Sequence, residues 1–154
     1  INEYDDWQVL LKARGIVEKS KAPLDTLRAQ QEEELARNQD FLAQSAIRQI
    51  EERNKSRLRA STSEYLKQAL SMISSWLRDV SVACSVSPEL VINSDFKADI
   101  EAAASCTSLS RISSALRATE EAKDLLDYNV SPETVFDSVL FKVREVFDGA
   151  CRTR

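Results

Sequence analysis

The sequence predicts a single all-α domain of about six helices packed around one long central helix. In several stretches apolar residues recur at alternating spacings of three and four, which is typical of an amphipathic helix. Charged residues make up 30% of the chain, whereas glycine occurs twice and proline three times, so few positions interrupt a helix. A length of 154 residues suits one domain.

The central helix is predicted over residues 61–84. Ser61 followed by Glu64 has the spacing of a capping box, in which each side chain satisfies a free amide at a helix start. Trp76 is in phase with the apolar stripe, so core packing is favoured over a role as an exposed interface anchor. The residues predicted to form the core, in this helix and in the last one, are Ile73, Trp76, Val80, Phe136 and Leu140.

Two helices are predicted before the central one. The first covers residues 4–19, although Gly15 weakens it by about 1 kcal/mol. The second should begin near Leu24, because the preceding Pro23 suits a first helical turn. Residues 27–50 have few apolar positions, so they should project into solvent or pack only at their ends.

Two further helices are predicted after the central one, which should end where Pro88 disfavours helix in the residue before it. Ser94 or Asp95 can cap a short helix, and Ser108 can cap the next. The helix after Ser108 should bury Leu109, Ile112, Leu116 and Leu126.

The last helix is predicted to start at Pro132, with Ser131 as its cap. Its apolar stripe is as regular as that of the central helix. Beyond Gly149, residues 149–154 should fray as a tail.

Residues 48–59 form a basic segment. Five cations against Glu51 and Glu52 give it a net charge of +3, and it could be either a break before the central helix or a continuous helix. Three interpretations remain open: a solvated helix face, a protein interface and a phosphate-binding patch. No aromatic residue interleaves with the cations, so base stacking is unsupported. The cations are Arg48, Arg53, Lys55, Arg57 and Arg59.

Enzymatic chemistry is disfavoured by the absence of histidine, the commonest general base and nitrogen ligand for metals. The chain has only two glycines, too few for a glycine-rich phosphate loop. The acidic runs at residues 32–34 and 120–124 are expected to be solvated helix faces rather than metal or acid–base sites. We therefore predict no catalytic residue, no cofactor and no metal.

The three cysteines, at positions 84, 106 and 151, suggest neither a disulfide framework nor a zinc site. Cys84 lies on the apolar stripe and should be a small core residue. A reducing, cytoplasmic setting fits this cysteine usage best. No stretch reaches the ~20 apolar residues that cross a bilayer, so no membrane contact is expected, and Ile1 in place of Met suggests a piece of a longer protein.

Several motifs occur in an order that resembles a known family. The basic segment leads into SSWLRDV at the central helix, followed by ELVINSD, SRISSALRATEEAKDLL and NVSPETVFDSVLFKV. This order resembles the C-terminal collar domain of the delta-prime subunit of the bacterial DNA polymerase III clamp loader. The Lys-Ser-Arg sequence at residues 55–57 resembles the actinobacterial members of that family in particular. Residues 47–148 would be the collar-like core, and residues 1–46 extra helices at its front.

The resemblance implies a non-catalytic role in assembly. In that family the collars of five subunits pack into a ring that holds the clamp loader together while it loads the sliding clamp during DNA replication. The implied partners are the delta and tau/gamma subunits, and DNA contact by this domain is not expected. Arg78 and Asp79 match the family pattern as candidate interface residues, but whether they pair internally or face a neighbour is open.

An alternative function uses the basic segment. A net charge of −4 argues against general affinity for nucleic acid, so any such binding must be local. The chain would then be a helical nucleic-acid-binding or regulatory module. An enzyme is the third possibility, and self-association of the isolated chain is possible if collar surface is exposed.

Overall fold

The computed structural model describes residues 6–38, 42–85, 88–128 and 130–148. These residues form an all-α fold, as predicted, with six α-helices and no strand among them. The helices are α1 (Asp6–Lys21), α2 (Leu24–Asn38), α3 (Gln44–Ala83), α4 (Lys97–Ala104), α5 (Leu109–Leu125) and α6 (Pro132–Phe147). Short 3-10 helices occupy Pro88–Leu90, Ser94–Phe96 and Leu126–Tyr128.

Helix α3 is the centre of the fold and packs against α1, α2, α4 and α5. Its 40 residues would span about 60 Å at about 1.5 Å per residue. The main core lies along its C-terminal half, whereas Asn54 in its N-terminal half contacts α2. Helix α6 completes the core by packing against α1 and α5.

The predicted start of the central helix is wrong. Helix α3 begins at Gln44 and continues through Ser61 without a break, so Ser61 and Glu64 lie in the helix interior and form no capping box. The basic segment is therefore part of one continuous helix. Residues 44–60 contain many good helix formers and neither glycine nor proline, so nothing in them stops the helix.

The core consists of two apolar clusters along α3. The first joins α1, α3, α5 and α6 around Leu66, Leu70 and Phe136. The second joins α3, α4, α5 and α6 around Leu77, Val80 and Ile112. The half-buried Ile73 and Val143 pack against both clusters and thereby connect them.

The residues predicted to form the core occupy these clusters to different depths. Val80 and Phe136 are fully buried, whereas Ile73, Trp76 and Leu140 are half-buried at the cluster edges. Trp76 contacts Phe147 edge to face, with ring centroids 5.7 Å apart. It also lines a cavity of about 650 Å³ between α1, α4 and α6, which is why it is only partly covered.

The starts of α5 and α6 lie where the sequence predicts them, whereas α4 begins only at Lys97, after a 3-10 helix that contains the predicted caps Ser94 and Asp95. Helix α6 starts at Pro132 as predicted, and Ser131 and Ser108 occupy the residues before α6 and α5. Neither serine caps its helix through its side chain, since Ser131 Oγ instead donates to Glu133 Oε2 at 2.7 Å. Leu109, predicted to be buried, is 47% exposed because it lies in the first turn of α5, beyond the core.

The N-terminal helices form a layer beside α3. Helix α2 starts at Leu24 as predicted, and Leu24 is buried. The side chain of Gln31 in α2 donates to the backbone carbonyl of Asn54 in α3 at 3.4 Å. Among the described residues, no helix has the length and apolar character needed to cross a membrane. The predicted tail at residues 149–154 lies outside the described residues.

Candidate protein interface

Arg78 and Asp79 occupy a distinctive place on α3. Leu77 and Val80, on either side of this pair, face the second core cluster. At about 100° per residue, Asp79 points well away from that cluster, yet it is fully buried. It is buried because the segment after α3 folds back over it.

The Asp79 carboxylate accepts four hydrogen bonds. Oδ2 accepts from the backbone N–H of Ile92 at 3.0 Å and from the backbone N–H of Asn93 at 2.7 Å. Asn93 also donates through Nδ2 at 2.7 Å, and Oδ1 accepts from Arg78 Nη1 at 2.7 Å. A buried carboxylate is thus supplied with donors on both oxygens.

These donors keep Asp79 ionised. Burial on its own raises the pKa of a carboxyl, but the hydrogen bonds from Asn93 and Ile92, together with the charge of Arg78, outweigh burial and lower the pKa of Asp79 below its usual value of 3.8. The carboxylate therefore acts at neutral pH as a fixed negative anchor for the segment that carries Ile92 and Asn93.

Arg78 and Asp79 pair with each other inside the chain, which answers the question that the sequence left open. Asp79 is inaccessible, while the Arg78 side chain remains 46% exposed. Asn93 is a residue that the sequence reasoning missed, and it also donates to Ser75 Oγ at 3.2 Å. The only sequence feature that could have indicated Asn93 is its position as the polar residue that ends an apolar run before a helix.

The basic segment does not form one patch. All five of its cations are exposed, but at about 100° per residue they divide into two rows along α3. The stripe that faces α2, with Asn54 and Leu58, separates the rows. One row is Arg48, Lys55 and Arg59; the other is Arg53 and Arg57.

The acidic runs are solvated, as the sequence suggested. Glu32, Glu33 and Glu34 are exposed. Glu120 accepts hydrogen bonds from Lys123 and from Ser74 Oγ, and these lower the pKa of Glu120 despite partial burial. Among the described residues, no group of three or more metal-ligating side chains is placed to hold an ion.

The two described cysteines differ in state. Cys84 is a free thiol, half-buried, with Sγ 3.5 Å from the carbonyl oxygen of Ala104, and burial raises its pKa. Cys106 is disulfide-bonded. The cysteine pattern suggested no disulfide framework, so this bond is a feature that the sequence did not indicate.

Three comparisons were made with known proteins. A scan of family models and searches of curated proteins and of solved structures found no match to this chain.

Proposed function

We propose that this chain is the non-catalytic collar domain of a bacterial clamp-loader delta-prime subunit. Its role is to hold the clamp loader together, through contacts with the delta and tau/gamma subunits, while the sliding clamp is loaded for DNA replication. The proposal rests on the resemblance of the ordered motifs and on one structural relationship between two of them.

That relationship is the hydrogen-bond network of Asp79. Arg78 and Asp79 belong to the SSWLRDV motif, and Ile92 and Asn93 belong to ELVINSD. Each motif alone is short, but Asp79 bonds the second motif at two backbone amides and one side chain. The two motifs are therefore joined by direct hydrogen bonds, as expected if both belong to one fold.

The packing and the surface of the helices also support an assembly role. The motif-bearing helices α3 to α6 share the two apolar clusters, so they pack as one unit that can present a surface. Several large apolar side chains remain exposed on this unit. A module that works by contact with other subunits requires both properties.

Co-expression tests this proposal. The tagged chain is produced together with the delta and tau/gamma subunits of an actinobacterial clamp loader, and complexes are measured by size-exclusion chromatography with light scattering. We expect a stable complex containing this chain. A chain that melts cooperatively but elutes alone would count against the collar role.

The exposed row of Arg48, Lys55 and Arg59 supports one alternative, a helical nucleic-acid-binding or regulatory module. A protein that uses three phosphate contacts should show a salt dependence of about 2.7 log units in affinity per log unit of salt. Fluorescence anisotropy of primed DNA titrated with the chain tests this alternative. Reversal of this row to glutamate should abolish such binding, whereas reversal of Arg53 and Arg57 serves as the control.

The collar role places the chain in the bacterial cytoplasm, where disulfides are rare. Cys106 is disulfide-bonded in the structure, so its redox state inside cells is a second test of the proposal. Cells that produce the chain are lysed in an alkylating reagent, and the modified cysteines are identified by mass spectrometry. The collar proposal expects alkylated Cys106, whereas a protected Cys106 would favour an oxidising compartment.

A further inference from the structure

A cluster of large apolar side chains projects from the segment that Asp79 holds. Leu90, Ile92 and Phe96 are 63%, 68% and 56% exposed. Single exposed apolar residues are common on protein surfaces, but a contiguous group indicates a contact surface. Here the three residues fall within seven consecutive positions.

The backbone of the segment explains why these side chains are exposed. Val91 packs against the second core cluster, so its neighbours Leu90 and Ile92 point outward. Two tight turns follow, closed by hydrogen bonds from Ser94 N–H to the carbonyl of Ile92 at 2.9 Å and from Phe96 N–H to the carbonyl of Asn93 at 3.0 Å. Phe96 therefore lies at the end of the second turn, four residues after Ile92.

Met72 extends the cluster onto α3. It is 73% exposed and lies three residues before Ser75, hence on the same helix face. Ser75 Oγ accepts a hydrogen bond from Asn93, so the segment carrying Ile92 lies against this part of α3. Methionine is flexible and polarizable, which suits it to a contact surface that adapts to its partner.

Asp79 makes this surface rigid before any partner binds. The buried carboxylate fixes the backbone of Ile92 and Asn93 directly. A surface that is already ordered loses less conformational entropy on binding than a mobile loop does. The arrangement is therefore that of a preorganised recognition element.

The charges around the cluster indicate what it binds. Residues 88–101 contain four acidic residues against Lys97, a net charge of −3, and all five charged side chains are exposed. Lys97 pairs with Glu101 at 3.9 Å and Arg78 pairs with Asp79 at 2.7 Å, which leaves Glu89 and Asp95 as acids directly next to Leu90 and Phe96 in the chain. Complementary charge in a partner would be positive. The acids are Glu89, Asp95, Asp99 and Glu101.

We propose that Met72, Leu90, Ile92 and Phe96 form a docking surface for an amphipathic helix of another protein, one whose apolar stripe is flanked by lysine or arginine. The apolar stripe would cover the four side chains, and the flanking cations would meet the acidic border. This inference rests on the proposed assembly role of the chain, and it identifies the surface that makes the contact.

The direct test uses the full chain and a fluorescent synthetic helix of about five turns, with leucines at helical spacing and lysines on both flanks. A second peptide carries glutamates in place of the lysines. We expect the lysine peptide to bind at least about tenfold more tightly, a difference of about 1.4 kcal/mol, and to lose affinity as salt rises. Equal binding of both peptides would overturn the charge assignment.

Matched variants locate the site. Ile92→Ser with Phe96→Ser should weaken binding of the lysine peptide at least about tenfold, while Leu125→Ser with Tyr128→Ser removes exposed apolar side chains elsewhere and should leave it unchanged. All four side chains are exposed, so both variants should keep the melting temperature of the parent. Equal weakening by the two variants would overturn the proposal.

The same variants separate this inference from the collar role. If both variants assemble equally well with the clamp-loader subunits, the docking surface is refuted and the collar role stands. If the lysine peptide binds at this face but the subunits do not assemble, the collar role fails and the docking surface stands. A dimer of the chain that dissociates on Ile92→Ser with Phe96→Ser would identify a second copy as the occupant and overturn the partner helix.

Discussion

Asp79 and Asn93 are 14 positions apart, yet Asp79 Oδ2 accepts hydrogen bonds from both the backbone N–H and the side-chain Nδ2 of Asn93, each at 2.7 Å. This relationship joins the last turns of α3 to the segment that precedes α4. It determines the position of the exposed apolar cluster and the state of the carboxyl itself.

Asp79→Ala should be among the most destabilising substitutions in the chain. It would leave the amides of Ile92 and Asn93 without their acceptor, and the Asn93 side chain with only Ser75 Oγ. Each lost bond to a charged group costs about 1.5–3 kcal/mol, so we expect a loss of about 3 kcal/mol in the free energy of unfolding. Urea denaturation followed by circular dichroism measures it. Asp95→Ala, at an exposed position, is the control, and equal stability of the two variants would contradict the anchoring role.

Acid should weaken the same anchor. The pKa of Asp79 is lower in the folded chain than its usual value of 3.8, so its stabilising contribution is complete above about pH 4 and is lost as the pH falls through the folded pKa. Glu120, Glu133 and Glu145 also have lowered pKa values and act in the same direction. Stability measured against pH should therefore fall less steeply in Asp79→Asn than in the parent; parallel curves would show that Asp79 does not contribute.

Periodicity made most of the fold predictable. The stripes of α3 and α6 recur over several turns, and their buried positions can be read directly from spacing. The start of α3 was missed because residues 44–60 are helical by propensity but have few apolar residues, while the Ser61–Glu64 pattern also occurs inside helices. The contact between Asp79 and Asn93 was missed because it depends on how a non-helical segment folds back, which local sequence does not encode.

Ser61→Ala distinguishes a helix interior from a helix start. Within the continuous α3, alanine has the higher helix propensity, so the substitution should be neutral or stabilise the chain by about 0.5 kcal/mol. Loss of a capping residue would instead cost about 1 kcal/mol. Ser61→Gly should cost up to about 1 kcal/mol in the same urea titration, and a cost for alanine as large as that for glycine would contradict the continuous helix.

Phe136→Ala should destabilise the chain more than Trp76→Ala. Phe136 is fully buried in the first cluster, and its truncation should cost about 3–5 kcal/mol. Trp76 is half-buried beside a cavity and keeps one edge contact with Phe147, so its loss should fall at or below the lower end of that range. Thermal unfolding by calorimetry compares them, and a larger shift for Trp76→Ala would show that the second cluster depends on the indole.

Cys84 should be a slow nucleophile in the folded chain. Its thiol is half-buried against the carbonyl of Ala104, and burial raises its pKa, so the reactive thiolate is scarce at neutral pH. Alkylation by iodoacetamide at pH 7.5, followed by mass spectrometry, should modify Cys84 at least about tenfold more slowly in the native chain than in urea. Cys84→Ser serves as the control for modification elsewhere. Equal rates in the two conditions would mean that the contact between α3 and α4 opens freely in solution.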